Sequence, residues 1–246
     1  MSHADLPIFK RLIPTLRKRY AELLPGGKYR LVTRDGAVFL VGYRSWADRM
    51  TVIHGLAERP QIEYFTHEIA DRACDLFLDI GAHMGTYAIM VARRTNCRRI
   101  IAFEPDARNF AHLEANLLVN GLLNQVERQP LALSDSDGTV PFEHGTEHDV
   151  WSKVSTSDAA GSTLVACARL DSILAVSNQT IALKIDIEMH ELQALEGMRR
   201  LLQNNRCFMQ VECFPEYLPA FIAAMQSLGY ERIHTIANDH YFARGL

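Results

Sequence analysis

Two hydrophobic periods alternate along this chain: short apolar runs that close on a polar or acidic residue, and longer stretches where apolar residues return every third or fourth position. The first kind reads as buried parallel strands and the second as helices packed on them, so their alternation predicts an α/β sheet. Leu76 to Ile80 is such a run, followed by Gly81 and Gly85 four apart and the helix-compatible Thr86 to Ala92. Arg99 to Phe103, Val126 to Leu133, Thr139 to Phe142, Ile181 to Ile187 and Cys207 to Glu212 supply further strands. Helices are expected over Ile62 to Ala73, through Phe110, Leu113 and Leu117 to a cap at Gly121, through Leu192, Leu195, Met198 and Leu202, and through Leu218, Phe221, Ile222, Met225 and Leu228 to Gly229. Arg232 to Ile236 and Tyr241 to Ala243 read as an antiparallel pair.

Ahead of this alternation the pattern changes. Ile8, Leu12, Leu16, Tyr20 and Leu23 fall at helical spacing, with Lys10, Arg11, Arg17, Lys18 and Arg19 on the other positions, and Pro25-Gly26-Gly27 ends the run. We read a lid or dimer helix with a solvated basic face; contact with a membrane or an acidic partner is the alternative. Tyr29 to Thr33 and Ala37 to Val41 flank Arg34-Asp35-Gly36, a hairpin signal. Residues 1–60 thus form an extension, a lid or homodimer element, and 61–246 the main domain.

With 246 residues, 48% hydrophobic and 22% charged, the composition suits a globular α/β protein. The net charge of −3 gives no general attraction to nucleic acid. Neither a membrane span nor a secretory signal is visible, and the five cysteines contain no C-x-x-C pair. These features predict reduced, mostly buried thiols in a cytoplasmic protein.

The candidate chemistry starts at the glycine turn, where backbone can approach a ligand and a new helix points N–H groups at it. Asp79 stands just before that turn, joined by Ala82, His83 and Thr86 as candidate contacts. The next strand ends at Glu104-Pro105, an acid placed to accept hydrogen bonds from ribose hydroxyls and a proline suited to a first helical turn. A nicotinamide site would show the same acid. Its G-x-G-x-x-G pattern, however, needs glycine at His83, and Asp79 beside a pyrophosphate would repel it. An acid there suits the positive charges of S-adenosylmethionine, and Asp79, Gly81, Gly85 and Glu104 together resemble the class I methyltransferase cofactor site.

A second acidic region lies at the ends of later strands. Lys184 and Asp186 interrupt an apolar run, and Glu188, His190 and Glu212 follow at or just past strand ends, where open α/β sheets bind ligands. Methyl transfer to a weakly acidic hydroxyl needs its proton handled, so two mechanisms stand: Glu188 or His190 as direct base, or Asp186 and Glu212 holding Mg²⁺. Simple pairing of Lys184 with Asp186 is the structural alternative. Leu133, Ser134 and Asp135 fall where the adenine edge would lie, although Asp135-x-Asp137-Gly138 is equally a turn. The polar stretch 143–162, with His144, His148 and Trp151, reads as a substrate-facing flap or a surface loop.

The ordered set Leu-Asp-Ile-Gly-Ala-His-Met-Gly, Ala-Phe-Glu-Pro, Ala-Leu-Ser-Asp-x-Asp-Gly, Leu-Asp-Ser-Ile and Lys-Ile-Asp-Ile-Glu, with Glu191 and Gly197 beyond, resembles the FkbM family of S-adenosylmethionine-dependent methyltransferases over about Phe77 to Glu212. The resemblance implies a Rossmann-like, doubly wound, seven-stranded sheet, mostly parallel with an antiparallel C-terminal hairpin strand, behind the N-terminal helix and hairpin. It also implies O-methylation of a hydroxyl on a sugar or other small-molecule natural product. The family's usual glycine after the Ile-Asp-x-Glu acid is Met189 here. N-methylation, a non-catalytic nucleotide-binding protein and a nicotinamide oxidoreductase remain alternatives. The last is disfavoured by His83 and by the lack of a Tyr-x-x-x-Lys pair.

Overall fold

The structure, a computed structural model, describes residues 29–42, 51–52, 55–144, 153–155 and 162–244. The expected basic helix over Pro7 to Leu24, and His148 and Trp151, lie outside them. The chain divides into two compact units, Met1–Arg59 with Thr146–Val150, and Pro60–Gly145 with Trp151–Leu246. In the first, strands β1 (Tyr29–Arg34) and β2 (Ala37–Gly42) pair antiparallel from Tyr29↔Gly42 to Arg34↔Ala37. Asp35 and Gly36 both take positive φ, 49° and 82°, the two-residue turn whose twist matches the strands.

The second unit is built on a seven-stranded sheet. Its parallel strands are β3 (Leu76–Ile80), β4 (Arg99–Phe103), β5 (Val126–Gln129), β10 (Thr180–Ile185) and β11 (Arg206–Glu212), followed by β12 (Glu231–Ile236) and β13 (Asp239–Ala243). The order is β12-β13-β11-β10-β3-β4-β5, with β13 antiparallel to both its neighbours. Helices α1 (Arg59–Asp71), α2 (Thr86–Arg94), α3 (Ala107–Val119) and α7 (Leu218–Ser227) are the longer ones between strands. The core runs through every central strand, because each is covered on both faces: Leu76, Leu78, Ile80, Ile181, Leu183, Ile185, Met209 and Val211 are all buried. The direction of winding reverses between β3 and β10, so their carboxyl ends form the crevice where such sheets hold ligands.

Two local expectations fail. The single strand expected over Val126 to Leu133 is broken, because Pro130 has no N–H to continue the ladder; β5 stops at Gln129. Ala132–Leu133 becomes β6 of a second sheet, order β6-β9-β7-β8, with β7 (Gly138–Glu143), β8 (Lys153–Val154) and β9 (Thr163–Ala168). Instead of folding back on its predecessor, β7 pairs antiparallel with β9, which the sequence pattern did not single out.

The shared motif residues Asp171 and Gly197 have structural work to do. Asp171, at the start of the short helix α4 (Leu170–Ile173), accepts the Arg200 and Leu201 N–H groups at 2.9 Å each, capping α6 (Arg199–Asn204). A Cβ on Gly197, at the end of α5 (Glu191–Gly197), would meet the Ser134 carbonyl oxygen at 1.9 Å, so only glycine lets this helix press onto the end of β6. Asp171→Ala orphans two amides and is expected to lower stability by about 1–2 kcal/mol in urea unfolding. Gly197→Ala sets side chain against backbone and should cost more, about 3 kcal/mol.

Candidate active site

Asp79 sits one residue before the end of β3 and is 1% exposed. Its Oδ2 accepts the Ala88 N–H from the first turn of α2 at 3.0 Å, while Oδ1 has no partner among the described residues. Burial pushes this carboxyl up to about 6, against the pull of Lys184 and the Ala88 amide. The turn between them is unusual backbone: Gly81, His83 and Gly85 have φ of 81°, 49° and 85°. Ala82 is buried, and its N–H and that of Gly81 both bond the Phe103 carbonyl, hanging the turn from β4. His83 occupies a left-handed position, which histidine tolerates better than most side chains. Burial, with His112 beside it, holds its imidazole neutral, down to about 4.

The glycines serve protein packing as much as ligand approach. A Cβ on Gly81 would lie 1.9 Å from the Asp186 carbonyl oxygen, and one on Gly85 would lie 2.5 Å from Leu113 Cδ1. Gly81 thereby lets the turn after β3 touch the turn after β10, and the Asp186 N–H closes the contact on the Ile80 carbonyl.

Glu104, 4% exposed, clasps the same turn from the end of β4. Its Oε2 accepts the His83 N–H at 2.8 Å and its Oε1 the Asp106 N–H at 2.9 Å, and the Asn109 side chain donates to the same carboxylate. Burial lifts it to about 7 despite those three bonds. Pro105 stands just outside the helix rather than in its first turn: α3 begins at Ala107, and Asp106 is the cap, its Oδ1 accepting from Arg108 and Asn109. Thr86 opens α2 and is half-buried.

Lys184 is in register with Asp79 on one side and Gln210 on the other, so the three side chains share one face of the sheet. Its Nζ lies 2.7 Å from Asp186 Oδ2 and 5.0 Å from the centre of the Tyr87 ring. Gln210 Nε2 donates to Tyr87 Oη at 2.7 Å and to Asp239 Oδ1 at 2.8 Å, and its Oε1 has no partner among the described residues. Beyond Asp186 the chain turns through two consecutive left-handed residues, Glu188 (φ 55°) and Met189 (φ 73°). Glu191, 6% exposed, pins the turn by accepting the Met189 N–H at 3.0 Å. Met189 therefore occupies a conformation that glycine adopts without strain, and its side chain is exposed. Burial, then the charges of Asp186 and Glu191, push Glu188 up to about 8.

His190 Nε2 lies 3.0 Å from Ser134 Oγ, which ties this turn to the buried Leu133-Ser134 pair at the end of β6. Asp135 is exposed; Arg169 Nη1 donates to its carbonyl, while Asp137 accepts the Arg169 N–H and the Ser172 hydroxyl. That gives the Asp-x-Asp-Gly turn a structural role of its own. The Mg²⁺ expectation does not fit the donors present. Asp186 is engaged with Lys184, Glu212 lies half-buried at the end of β11, and among the described residues no three His, Cys, Asp or Glu side chains gather as a metal-holding group.

Two residues of this neighbourhood had no expectation from the sequence, Asp106 and Gln210. Gln210 carried a signal, one amide inside an otherwise apolar strand. Asp106 did not, since its partner His144, expected only as part of a flap or surface loop, lies 38 positions away.

Residues 79–232 match the model of the methyltransferase FkbM domain. The chain belongs to this family. A hexuronic acid methyltransferase of Haloferax volcanii, AglP, is 29% identical over 136 residues, covering 53% of this chain and 52% of that protein. A methyltransferase from Sordaria araneosa is 33% identical over 86 residues, 33% of each chain. The chain thus spans at most about half the length of these curated relatives. Among solved structures, the methyltransferase FkbM from Methylobacillus flagellatus is similar at TM-score 0.50 and 17% identity, covering 69% of this chain and 43% of that one. The Pyrococcus abyssi tRNA (uracil-54, C5)-methyltransferase is similar at TM-score 0.52 and 12% identity, covering 89% and 44%. At these identities the likeness is one of fold, and it is the Rossmann-like seven-stranded sheet described above.

The raised carboxyls make a pH prediction for the ligand-free protein. Asp79, Glu104 and Glu188 hold protons more tightly folded than unfolded, so their contribution is fully present below their unfolded values near 4 and is lost by the time pH has risen through about 6 to 8. Stability by urea titration should fall from about pH 4 and level off above about pH 8. In Asp79→Asn the fall should be shallower by about 2 kcal/mol at high pH.

Proposed function

We propose that this chain is an S-adenosylmethionine-dependent methyltransferase that O-methylates a sugar or a comparable small hydroxylated molecule. The observation that carries the reading is the free Oδ1 of buried Asp79, beside the left-handed glycine turn and the start of α2. A buried carboxylate oxygen without a donor is costly, and a cationic, hydrogen-bonding ligand is what relieves it. S-adenosylmethionine would supply an activated methyl on a sulfonium, an α-ammonium group and ribose hydroxyls. Asp79 would meet the first two charges, and the Glu104 carboxylate the hydroxyls. Ser134 and Leu133 would border the base, where His190 bonds Ser134.

On the acceptor side, Asp186 and Glu188 stand at the end of β10 with Lys184 beneath them. Glu188, raised to about 8, carries a proton through the neutral range and can donate a hydrogen bond to an incoming oxygen. The similarity to a hexuronic acid methyltransferase supports a saccharide acceptor. The excess of carboxylates here would also suit an amine, so N-methylation is the second reading; mass spectrometry of the methylated product assigns the atom.

Calorimetry tests the cofactor. S-adenosylhomocysteine should bind and NAD should not, and Asp79→Asn or Glu104→Gln should each weaken S-adenosylhomocysteine by about 10- to 100-fold, the scale of a hydrogen bond to a charged group. Equal binding by wild type and both variants contradicts the assignment.

A further inference from the structure

His144 closes β7 and sits between two oxygens. Its Nδ1 is 2.5 Å from Asp106 Oδ2, and its Nε2 is 2.6 Å from the hydroxyl of Thr163, an exposed residue at the start of β9. Asp106 is 1% exposed. Burial alone would raise its carboxyl, but His144 and the Asn109 and Arg108 amides together hold it below the ordinary value, so it is ionised and accepts. Nδ1 therefore carries the donated proton, and in the neutral imidazole Nε2 presents its lone pair to the hydroxyl. A carboxylate, an imidazole and a hydroxyl in this sequence are the arrangement by which an imidazole is prepared to take a hydroxyl proton.

The place is right for an acceptor. The Asp106 N–H bonds Glu104, and Asp106 also acts electrostatically on His83 in the glycine turn. One step along the same hairpin, Glu143 pairs in register with Lys153, whose charge reaches Glu188 beyond β10. His144 is thus linked through Asp106 to Glu104, and Lys153 of the neighbouring strand acts electrostatically on Glu188 in the turn after β10. The charged groups facing His144 are Asp106 from α3 and, along the hairpin, Glu143 and Lys153; the Phe142 ring packs edge-on at 5.5 Å. The two acid-side candidates are less prepared to act as bases: His190 also meets a hydroxyl, that of Ser134, but no carboxylate bonds its other ring nitrogen among the described residues, and Glu188 holds its own proton at neutral pH.

We propose that His144, oriented by Asp106, is the general base for a sugar hydroxyl, with the Thr163 hydroxyl occupying in this structure the position the acceptor takes. The proposal rests on the methyltransferase reading above. The acceptor's proton passes to Nε2 as its oxygen bonds the methyl carbon; the carbon–sulfur bond breaks with its electron pair left on sulfur. The products are the methyl ether, the neutral thioether S-adenosylhomocysteine, and an imidazolium stabilised by the Asp106 carboxylate.

The test compares the wild-type chain with His144→Gln, using the methyl glycosides of glucose and glucuronic acid as acceptor probes and calorimetric binding of S-adenosylhomocysteine as the second readout. The expected result is a fall in kcat of about 10²- to 10⁴-fold with S-adenosylhomocysteine affinity held within about threefold. The limb of the kcat profile that rises with pH in the wild type should be absent from the residual activity. His144→Gln with kcat within about tenfold of wild type, or with the rising limb intact, overturns the proposal. So does a parallel loss of S-adenosylhomocysteine affinity, which would make the pair a cofactor support. Wild type that binds S-adenosylhomocysteine yet methylates neither glycoside also overturns it, whereas wild type that fails to bind S-adenosylhomocysteine sinks the function itself.

Discussion

A polar row crosses the middle of an otherwise apolar sheet: Asp79, Lys184 and Gln210, in register on three neighbouring strands. Ionised groups in such a place are expensive unless each finds a counter-charge or a donor. Lys184 answers Asp186 directly and lies over Tyr87, and it lowers the cost of ionising Asp79 without removing it. Gln210 ties Tyr87 to Asp239, and Gln61 reaches the other Asp239 oxygen at 3.1 Å. Among the described residues, Asp79 Oδ1 and Gln210 Oε1 remain without donors. The described residues thus leave a shortage of donors at one end of this row, and on the proposed reading a cationic ligand supplies it.

Backbone geometry holds the arrangement still. The turns after β3 and β10 touch through Gly81 and the Asp186 carbonyl, so neither can shift without the other. Left-handed residues cluster in these two turns: His83 in one, Glu188 and Met189 in the other. Such conformations cost on the order of 1–3 kcal/mol each and persist only where neighbours enforce them. Here the enforcement is visible. Glu104 holds the His83 amide, Glu191 holds the Met189 amide, and Ser134 holds His190. Several acids of the family pattern thus order backbone, Glu104, Asp171 and Glu191 among them.

Much of this was legible from residue order because it depends on local chemistry. Apolar runs ending in acids gave the central strands, paired glycines gave the turn, and Asp35-Gly36 gave the hairpin, each a property of a few adjacent residues. The second sheet was hidden for a physical reason: Pro130 cuts one apparent strand into two pieces that join different sheets, and β9 carries exposed and buried positions without clean alternation. The roles of Asp171 and Gly197 were equally invisible, since a cap donated to a helix beginning at Arg199, and a contact between Gly197 and Ser134, exist only once the chain has folded. Asp106 and His144 belong to the same class, with one residue hidden behind a Glu-Pro turn and the other in a polar stretch.

If burial keeps Asp79 and Glu104 partly protonated, a cationic nucleoside must displace protons from them as it binds. Binding of S-adenosylmethionine should be measured by calorimetry at roughly pH 6.5 in buffers of different ionisation enthalpy. Release of roughly one proton is expected, as the ligand draws both carboxyls into their charged forms. Binding with no proton release, or with uptake, would mean that these acids do not meet the cofactor's charges.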